Sequence, residues 1–366
     1  MVNASFPIVL AAGGTGGHIF PAEALAETLL GRGFRVVLAT DRRFAGYETG
    51  ALSQVETRLI YSSPLKGGLI GKGLGAAGIG FGVWQARRML KQLRPSAVVG
   101  FGGYPSFPTM LAAAFARLPT LIHEQNAVLG RTNRFLAPRV SRVATSFATT
   151  LMVAPQDADK FVFTGNPVRA GVRAVHDVPY PSLGQQGTMQ ILVTGGSQGA
   201  SVFSEILPAA LAALPAPLRS RLRIDQQCRE ADLEVTRAAY AQLGVSAHLA
   251  TFFNDMPARL AAAHLVIARA GASTVAELAA AGRPAILVPY PHAIDNHQYF
   301  NANAFEDAGG GWVMPQEGFT AAALCARLEA FLGLPATLSR AAVYAHMMGA
   351  VNAAEKLADI TLELAA

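Results

Sequence analysis

Several features that mark other protein classes are scarce in this 366-residue sequence. It holds two cysteines, Cys228 and Cys325, too few for a disulfide framework, which fits a reducing cytoplasm. No uninterrupted apolar stretch reaches the roughly 18 residues of a membrane-spanning helix, although 51% of the residues are hydrophobic. Residues 1–7 lack the basic and apolar regions of a signal peptide. We therefore expect neither a spanning helix nor an export signal.

Two common nucleotide-binding signatures are also missing. No Gly-Lys-Ser or Gly-Lys-Thr is present, which excludes a P-loop. After Gly14-Thr15-Gly16, the third glycine of a dinucleotide fingerprint would fall at Ile19. Asp41, which follows a strand pattern, is therefore not interpreted as the ribose-binding acid of an NAD enzyme.

The charge of the chain suits an anionic partner. The net charge is +6 and the isoelectric point is near 9.5, which fits a nucleotide, a nucleic acid or an acidic membrane surface. The basic residues are dispersed and are not interleaved with aromatic ones. We therefore expect no nucleic-acid partner.

One short pattern occurs twice. Residues 8–17 (IVLAAGGTGG) and residues 191–200 (ILVTGGSQGA) each join an apolar run to a glycine-rich turn, with a helical pattern beyond. A strand, a turn and a helix N-terminus together form an anion site, because backbone N–H groups and the helix dipole favour negative charge. The repeat predicts two similar α/β domains that face one cleft.

The apolar pattern predicts alternating strands and helices in both halves. Predicted strands are residues 8–12, 35–39, 97–100, 120–123, 190–193, 223–226, 248–251, 265–268 and 285–288. Predicted helices are residues 22–30, after Pro21, and residues 83–93, 200–214, 275–281 and 350–364. Such alternation indicates parallel sheets covered on both faces. Ligands bind at the carboxyl ends of such strands, so the loops after Ala12, Gly100 and His123 should converge.

The stretch from Leu65 to Trp84 is rich in glycine, with apolar side chains, Lys66 and Lys72 inside it, and Arg87 and Arg88 beyond. Dense glycine disfavours a stable isolated helix. One interpretation is a mobile surface loop followed by a partly buried helix. The other is an apolar and basic patch that lies on an anionic membrane without crossing it.

Two polar candidates follow strands of the first half. His18 comes directly after the first glycine turn, where it is either structural or a general base. Glu124, within residues 123–126 (HEQN), is a second candidate base. Position in the sequence does not decide between these roles.

In the second half, Thr274 and Glu277 have the spacing of a capping box ahead of an alanine-rich helix. Glu277 is either a cap or an acceptor for a ribose diol. Arg269, just upstream, would supply a cation to a diphosphate beside the same helix N-terminus.

Two further patterns resemble metal motifs. His292, Asp295 and His297 follow a strand, yet no cysteine or histidine framework accompanies them. Asp157 and Asp159 imitate the Asp-x-Asp motif of metal-dependent sugar transferases, but they follow Pro155 rather than a strand, so we interpret them as a solvated loop. We expect no metal site.

Seven short motifs resemble, in order, those of the MurG family of glycosyltransferases. They are residues 13–22 (GGTGGHIFPA), 100–106 (GFGGYPS), 123–126 (HEQN), 165–169 (GNPVR), 195–200 (GGSQGA), 269–277 (RAGASTVAE) and 295–299 (DNHQY). Each motif is only modestly specific, whereas seven in the right order are highly specific.

The resemblance implies the GT-B fold, with two Rossmann-like domains whose parallel sheets face a central cleft. Residues 1–166 would form the acceptor- and membrane-facing domain and residues 167–344 the donor domain, with a helix at about 345–366 packing back on the first. The family inverts at the anomeric carbon as it transfers N-acetylglucosamine from UDP-N-acetylglucosamine to the C4 hydroxyl of the muramyl sugar of lipid I, a polyprenyl-diphosphate-linked peptide. The product is lipid II for peptidoglycan, and no cofactor or metal is implied.

The resemblance also implies roles for individual residues. His18 is the first candidate base and Glu124 the second. The residues implied for UDP-N-acetylglucosamine are Thr15, Gly16, Gly17, Asn126, Arg169, Ser197, Phe253, Ala272, Ser273, Thr274, Glu277 and Gln298. Those implied for the acceptor diphosphate are Gly13, Gly14, Gly102, Gly103, Tyr104 and Ser106, in loops at residues 13–18 and 102–106. Residues 225–229 (DQQCR) depart from the family, because many relatives carry a His-Gln pair there.

The family is peripheral to the cytoplasmic face of the bacterial inner membrane, so the resemblance implies an anionic membrane surface and cell-wall synthesis proteins as further partners. Two alternatives stay open. One is another GT-B transferase that acts on a different lipid or natural product. The other is a module that binds a nucleotide sugar without catalysis, for which the second half alone would suffice.

Overall fold

The computed structural model of this chain describes residues 6–44, 50–63, 69–196 and 200–366. The chain divides into two compact units: unit 1 comprises Met1–Arg169 and Asn352–Ala366, and unit 2 comprises Ala170–Val351. The boundaries expected from the sequence, 166/167 and about 344/345, lie a few residues before these.

Unit 1 is built on a seven-stranded parallel sheet. Its strands are β1 (Ile8–Ala11), β2 (Val36–Thr40), β3 (Glu56–Leu59), β4 (Ala97–Gly100), β5 (Thr120–Glu124), β6 (Arg142–Thr145) and β7 (Phe161–Phe163). Their spatial order is β3-β2-β1-β4-β5-β6-β7. Strands β1, β2, β4 and β5 are buried along their whole length, as expected when helices cover both faces of a parallel sheet.

Four helices of unit 1 connect these strands. They are α1 (Gly16–Gly31), α2 (Leu69–Leu93), α3 (Gly103–Phe115) and α4 (Arg131–Leu136). Helix α1 begins earlier than predicted, so Pro21 lies inside it rather than just before it. Helix α3 was not predicted. Its first turn is formed by residues 103–106, which the sequence assigned to a loop.

Helix α2 overturns the expectation that glycine would keep this stretch from being a helix. It continues through Gly78 and Gly82. A Cβ on Gly82 would collide with the carbonyl of Tyr61 and lie 3.2 Å from Cβ of Pro108. The bare glycine positions therefore let α2 pack closely against the segment after β3 and against α3, and this packing outweighs low helix propensity.

Unit 2 repeats this plan around a six-stranded parallel sheet. Its strands are β8 (Met189–Thr194), β9 (Leu222–Gln227), β10 (Ser246–Ala250), β11 (Leu265–Ala268), β12 (Ala285–Leu287) and β13 (Gly311–Val313). Its helices are α5 (Ala170–Arg173), α6 (Ser201–Ala213), α7 (Ala216–Arg219), α8 (Leu233–Gln242), α9 (Met256–Ala262), α10 (Ala272–Ala281), α11 (His297–Asp307), α12 (Ala321–Gly333) and α13 (Ala336–Met348). The order β10-β9-β8-β11-β12-β13 matches the first six positions of the sheet in unit 1.

The last helix, α14 (Ala353–Ala365), belongs to unit 1. Leu357 and Ala358 are fully buried in the core that lines β1 and α1. The family resemblance implied this placement, whereas the apolar pattern alone left it open, because an amphipathic pattern states which face is apolar but not what covers it.

Within the described ranges, no single helix is long and apolar enough to cross a membrane. Two helical segments, Ala321–Gly333 and Ala336–Ala365, have the length and hydropathy of a membrane-spanning segment only when they are taken together. They are bent by 96° where they meet.

Candidate active-site residues

The first glycine turn joins β1 to α1. The N-cap of α1 is Thr15, with extended backbone angles and no side-chain cap, and Gly14 has a φ of +91°. The first amides of α1 are therefore not occupied by a capping side chain, as an anion site requires. Thr15, Gly16 and Gly17 lie at this helix start.

The start of α3 lies beside the first turn of α1. Its N-cap is Gly102 (φ +79°), Gly103 follows with a φ of +68°, and the cap carries no side-chain hydrogen bond. A Cβ on Gly103 would lie 3.1 Å from Nε2 of His18. Ser106 Oγ donates to the carbonyl of Gly103 at 3.1 Å, so Ser106 serves the helix turn itself.

A hydrogen-bond chain links His18 to the end of β5, which confirms that the loops after β1, β4 and β5 converge. His18 Nδ1 lies 3.1 Å from Oε1 of Gln125. Gln125 Nε2 lies 2.9 Å from Nδ1 of His123 and donates to the carbonyl of His123 at 3.0 Å. Because a carbonyl oxygen only accepts, this last bond fixes which end of the amide is nitrogen.

The same series of hydrogen bonds sets which nitrogen carries a proton in each imidazole. Gln125 Nε2 donates to His123 Nδ1, and His123 Nε2 donates to the carbonyl of Gly165 at 3.1 Å. The pKa of His123 is lowered to about 4, mainly by burial. The hydrogen bond to the Gly165 carbonyl opposes this shift, and the nearby His18 adds to it. His18 must then donate from Nδ1 to Gln125, so neutral His18 carries its lone pair on Nε2.

Glu124 is buried and fully used as an acceptor, which does not fit a base. Its Oε1 accepts from the amide and the side chain of Asn126 at 3.0 and 3.2 Å. Its Oε2 accepts from the amide of Gly130 at 2.9 Å and from Nδ2 of Asn133 at 2.8 Å. These bonds hold the segment between β5 and α4, so the carboxylate positions Asn126.

Sequence reasoning missed Arg43 and gave Gln125 no role. Arg43 donates from Nε and Nη2 to Asp41 at 3.0 and 2.9 Å and lies 4.4 Å above the ring of Tyr104. Burial raises the pKa of the Tyr104 hydroxyl above its ordinary value. The Arg43 guanidinium opposes this shift, and the Asp41 carboxylate adds to it. No sequence spacing indicated this cluster, because it joins the loops after β2 and β4 across the sheet.

Arg169 is the last residue of the first segment of unit 1. Its guanidinium lies 4.3 Å above the ring of Phe20. The pKa of Glu23 on α1 is raised, mainly by burial. Arg169 opposes this shift and Glu27 adds to it. Arg169 therefore lies against Phe20 and close to Glu23, both on α1.

Asp157 and Asp159 were expected in a solvated loop, and the structure contradicts this for Asp157, whereas Asp159 is exposed. Asp157 is buried, with 5% of its surface exposed, and it pairs with Lys160 at 3.2 Å. They lie on a short 3-10 helix, Pro155–Lys160, just before β7. The pair is structural, since one carboxylate is buried against a lysine of the same turn.

In unit 2, the second glycine turn follows β8. Thr194 Oγ1 accepts from the amide of Gly196 at 3.3 Å and donates to Oε1 of Gln227 at 2.8 Å. Gly196 has a φ of +75°. Ser197 lies outside the described residues. In the 225–229 stretch, Gln226 is buried and bonded to Tyr240 and Ser204, whereas Gln227 bonds to Thr194 at the turn.

The N-terminus of α10 lies after the neighbouring strand β11, and the predicted capping box there is wrong. The N-cap is Gly271 without a side-chain bond, so Ala272, Ser273 and Thr274 are the first helical residues and Glu277 lies one turn further. Ser273 Oγ is buried without a partner among the described residues. The helix start thus has open N–H groups and a hydroxyl.

The Arg269 guanidinium is held by hydrogen bonds to the segments after β12 and β13. Its Nη1 donates to the carbonyls of Val288 and Pro289 at 3.1 and 3.2 Å, and its Nη2 donates to Gln316 at 2.6 Å. Burial lowers the pKa of its guanidinium. Its role is to join the ends of β11 and β12.

Phe253 follows β10 and is almost fully buried, with 4% of its surface exposed. The guanidinium of Arg259 lies 4.0 Å above its ring and pairs with Asp225 and Asp255, each at 2.8 Å. The Phe253 side chain is therefore packed inward, so at this residue only the backbone is left to meet a ligand.

Gln298 is the second residue of α11, and its Oε1 accepts from the amide of Tyr290 at 3.0 Å. His297 Nδ1 lies 2.7 Å from the carbonyl of Ile294. In the part of the chain that the structure describes, no group of three or more histidine, cysteine, aspartate or glutamate side chains could hold a metal ion.

Two family profiles match the chain and define its class. Residues 8–145 match the N-terminal domain of glycosyltransferase family 28, and residues 190–358 match its C-terminal domain. The transferase named UDP-N-acetylglucosamine--N-acetylmuramyl-(pentapeptide) pyrophosphoryl-undecaprenol N-acetylglucosamine transferase from Paramagnetospirillum magneticum is 56% identical over 98% of this chain and 96% of its own length. The transferase of the same name from Rhodospirillum centenum is 57% identical over 97% of this chain and 94% of its own length. The chain belongs to the MurG family.

Solved structures agree with this assignment. The crystal structure of Acinetobacter baumannii MurG has a TM-score of 0.79 and 31% identity, covering 98% of this chain and 99% of that one. The glycotransferase of kitacinnamycin has a TM-score of 0.69 at 17% identity, covering 97% and 99% of the two chains, which shows the fold alone. The predicted GT-B class with two Rossmann-like domains is confirmed.

Proposed function

We propose that this chain transfers N-acetylglucosamine from UDP-N-acetylglucosamine to the C4 hydroxyl of the muramyl sugar of lipid I and so forms lipid II for peptidoglycan. The observation that supports the catalytic part is the hydrogen-bonded series His18–Gln125–His123, which orients the His18 imidazole beside the starts of α1 and α3. Family membership supports the substrates, because the relatives are named for this transfer.

His18 is the proposed base. Its Nε2 takes the proton of the C4 hydroxyl as that oxygen bonds to the anomeric carbon of the donor sugar. The bond from this carbon to the β-phosphate oxygen of UDP breaks on the opposite face, and its electron pair leaves with UDP, so the configuration inverts. A positioned general base contributes roughly 10²- to 10⁴-fold in rate. Glu124 is a positioning residue in this scheme.

Unit 2 is the proposed donor domain. The amides of the 195–196 turn and of the first turn of α10 would stabilise the departing diphosphate, where charge grows in the transition state, and Ser197 is a further proposed contact. Glu277 would bind the ribose and the backbone at Phe253 the uracil. The remaining proposed donor contacts are Ala272, Ser273, Thr274, Gln298 and Arg169, with Thr15, Gly16, Gly17 and Asn126 at the transferred sugar. The scheme contains no metal step.

Unit 1 is the proposed acceptor domain. Its two helix starts offer the amides of Gly13, Gly14, Gly102 and Gly103 to the acceptor diphosphate. Support comes from the missing side-chain caps at Thr15 and Gly102. Tyr104 adds a hydroxyl, whereas Ser106 serves its own helix turn.

A purified-protein assay tests this function. UDP release is measured with UDP-N-acetylglucosamine and a soluble lipid I analogue. Release that depends on the analogue is the expected result. Turnover only with another acceptor would assign the chain to a different GT-B reaction. UDP binding without turnover on any acceptor would favour the binding module.

We further propose peripheral attachment to the cytoplasmic face of the inner membrane through an aromatic patch of unit 1, formed by Leu59, Tyr61, Phe81 and Trp84. Each of these side chains is at least half exposed, at 60%, 50%, 50% and 56%. Phe81 and Trp84 stack at 5.8 Å between ring centroids. Exposed apolar surface of this kind beside Arg87 and Arg88 suits an anionic bilayer surface.

Vesicle co-sedimentation tests the attachment. Phe81→Ala with Trp84→Ala, and separately Arg87→Gln with Arg88→Gln, should each reduce binding to vesicles that contain phosphatidylglycerol. The exposed Phe115, converted to alanine, is the matched control outside the patch. Binding that survives both double substitutions would remove the patch from the proposal. Lys66 lies outside the described residues, as does the side chain of Lys72.

A further inference from the structure

A guanidinium lies at the first glycine turn of unit 1. Nη2 of Arg43 is 3.1 Å from the position that a Cβ on Gly14 would occupy. The same group lies 4.4 Å above the ring of Tyr104, in the first turn of α3. The arginine thus contacts the segments that begin both α1 and α3.

Asp41 holds this guanidinium in place. Arg43 Nε and Nη2 both donate to Oδ2 of Asp41, which also accepts from Oγ of Ser62 at 3.1 Å. Asp41 is buried, whereas the Arg43 side chain is 45% exposed. Nη1 makes no hydrogen bond within the described ranges, so two of its N–H donors stay available on a rigid fork.

A second buried group points at the same turn. Oγ1 of Thr40 is 3.0 Å from the position that a Cβ on Gly13 would occupy. Thr40 is fully buried, and this oxygen has no hydrogen-bond partner among the described residues. A buried polar atom without a partner is costly in a finished structure, which marks the turn as a place that a polar ligand completes.

We propose that Arg43 binds a phosphate of the acceptor's polyprenyl diphosphate, together with the amides of the first glycine turn and the Tyr104 hydroxyl. The inference rests on the proposed function, since its ligand is the acceptor substrate. Guanidinium–phosphate contacts are charge-assisted and favour fork geometry. Asp41 offsets the charge of Arg43. The contribution of Arg43 to phosphate binding therefore comes from short hydrogen bonds of its N–H groups rather than from long-range electrostatic attraction.

Kinetics of matched variants test the inference. Arg43→Met removes the fork, and Arg42→Met removes an equal charge from the neighbouring exposed residue. Loss of a charge-assisted bond predicts about a tenfold or larger rise in KM for the lipid I analogue with Arg43→Met. We expect KM for UDP-N-acetylglucosamine to stay within about twofold of wild type and Arg43→Lys to recover part of the loss.

Three results overturn the inference: equal acceptor KM in the two methionine variants, an equal rise in KM for the donor, or full function in Arg43→Met. Because Arg43→Met leaves Asp41 buried without its cation, the double variant Asp41→Asn, Arg43→Met is measured as well. It should show the same rise in acceptor KM with a higher melting temperature than Arg43→Met alone.

Calorimetry separates this inference from the proposed function. Inorganic pyrophosphate is titrated into protein saturated with UDP. Binding that is lost in Arg43→Met and kept in Arg42→Met supports the site even when wild type shows no turnover with the lipid I analogue, whereas equal binding in both variants overturns it. Normal turnover by all variants would leave the proposed function standing without Arg43.

Discussion

Nδ1 of His18 donates a hydrogen bond to Oε1 of Gln125 across 3.1 Å, and this bond joins residues 107 positions apart in the chain. Gln125 is itself fixed by His123 through both a ring nitrogen and a carbonyl. The consequence is chemical, because the bond selects the imidazole tautomer whose lone pair is on Nε2, the atom next to Gly103.

Removal of the His18 imidazole should lower turnover. For His18→Ala we expect kcat to fall by about 10²- to 10⁴-fold, with KM for UDP-N-acetylglucosamine changed little, because a base acts in the transition state. Steady-state assays of UDP release measure both constants. An unchanged kcat would remove His18 from the mechanism.

Gln125→Leu should weaken catalysis with His18 still in place. Without the amide, the tautomer and orientation of His18 are no longer held, so we expect kcat to fall about ten- to a hundredfold and the acid side of the pH–rate profile to move. Gln242→Leu, at an exposed position, is the control. A purely structural role for Gln125 would lower the melting temperature and leave the pH profile of the surviving activity unmoved.

Glu124→Gln distinguishes positioning from base catalysis. The new NH₂ group would face donors that now bond to the carboxylate, so we expect a loss of about 1 to 3 kcal/mol in the free energy of unfolding and a smaller fall in kcat than for His18→Ala. Urea unfolding and kinetics measure the two effects. A fall in kcat as large as that of His18→Ala, without loss of stability, would restore Glu124 as the base.

His123 should make the free energy of unfolding depend on pH. Its pKa is about 4 in the folded protein because of burial, below the roughly 6.5 of an unfolded chain. Between these values the unfolded chain binds more protons, so the free energy of unfolding falls as pH drops through this window. Between about pH 7.5 and about pH 4.5, protonation linked to His123 should lower the free energy of unfolding by about 2 to 3 kcal/mol.

Urea unfolding of His123→Gln at both pH values measures this cost. The variant should lose that much less stability than wild type on acidification, whatever its stability at neutral pH. His292→Gln, at an exposed position, should behave like wild type. Identical acid sensitivity in wild type and His123→Gln would contradict the prediction.

Glu277→Ala should weaken binding of UDP without loosening α10. The N-cap residue of the helix is Gly271 and no side chain caps it, so loss of the carboxylate removes no cap. We expect the Kd for UDP, measured by calorimetry, to rise about tenfold, as for loss of a hydrogen bond to a charged group. Glu329→Ala, at an exposed position of unit 2, is the control. Unchanged affinity, or a fall in melting temperature with unchanged affinity, would return Glu277 to a structural role.

Strands were predictable where every residue is buried. Ala97–Gly100 and Leu265–Ala268 match the structure residue for residue, since a short apolar run between turn residues admits few interpretations. In α2, residues 83–93 were predicted to be helical, but the glycine-rich part before them was not. Gly78 and Gly82 are explained by close contacts with Tyr61 and Pro108 that no local pattern contains.

The candidate site divides in the same way. The glycine turns, the order of the motifs and the family were legible in the sequence, because each depends on residues that are adjacent in the chain. Tertiary structure decided which groups are chemically available. The Glu124 carboxylate accepts hydrogen bonds from the loop after β5, and the Arg269 guanidinium donates to backbone carbonyls. The Thr274–Glu277 spacing does not form a capping box.

By itself, the sequence determined two Rossmann-like domains, their glycine turns and the family, because backbone conformation and apolar periodicity are local properties. Only the folded chain determined the tautomer of His18 and the position of Arg43. Both depend on a hydrogen bond or a ring contact between segments that follow strands two positions apart in one parallel sheet, β1 and β5 for His18 and β2 and β4 for Arg43.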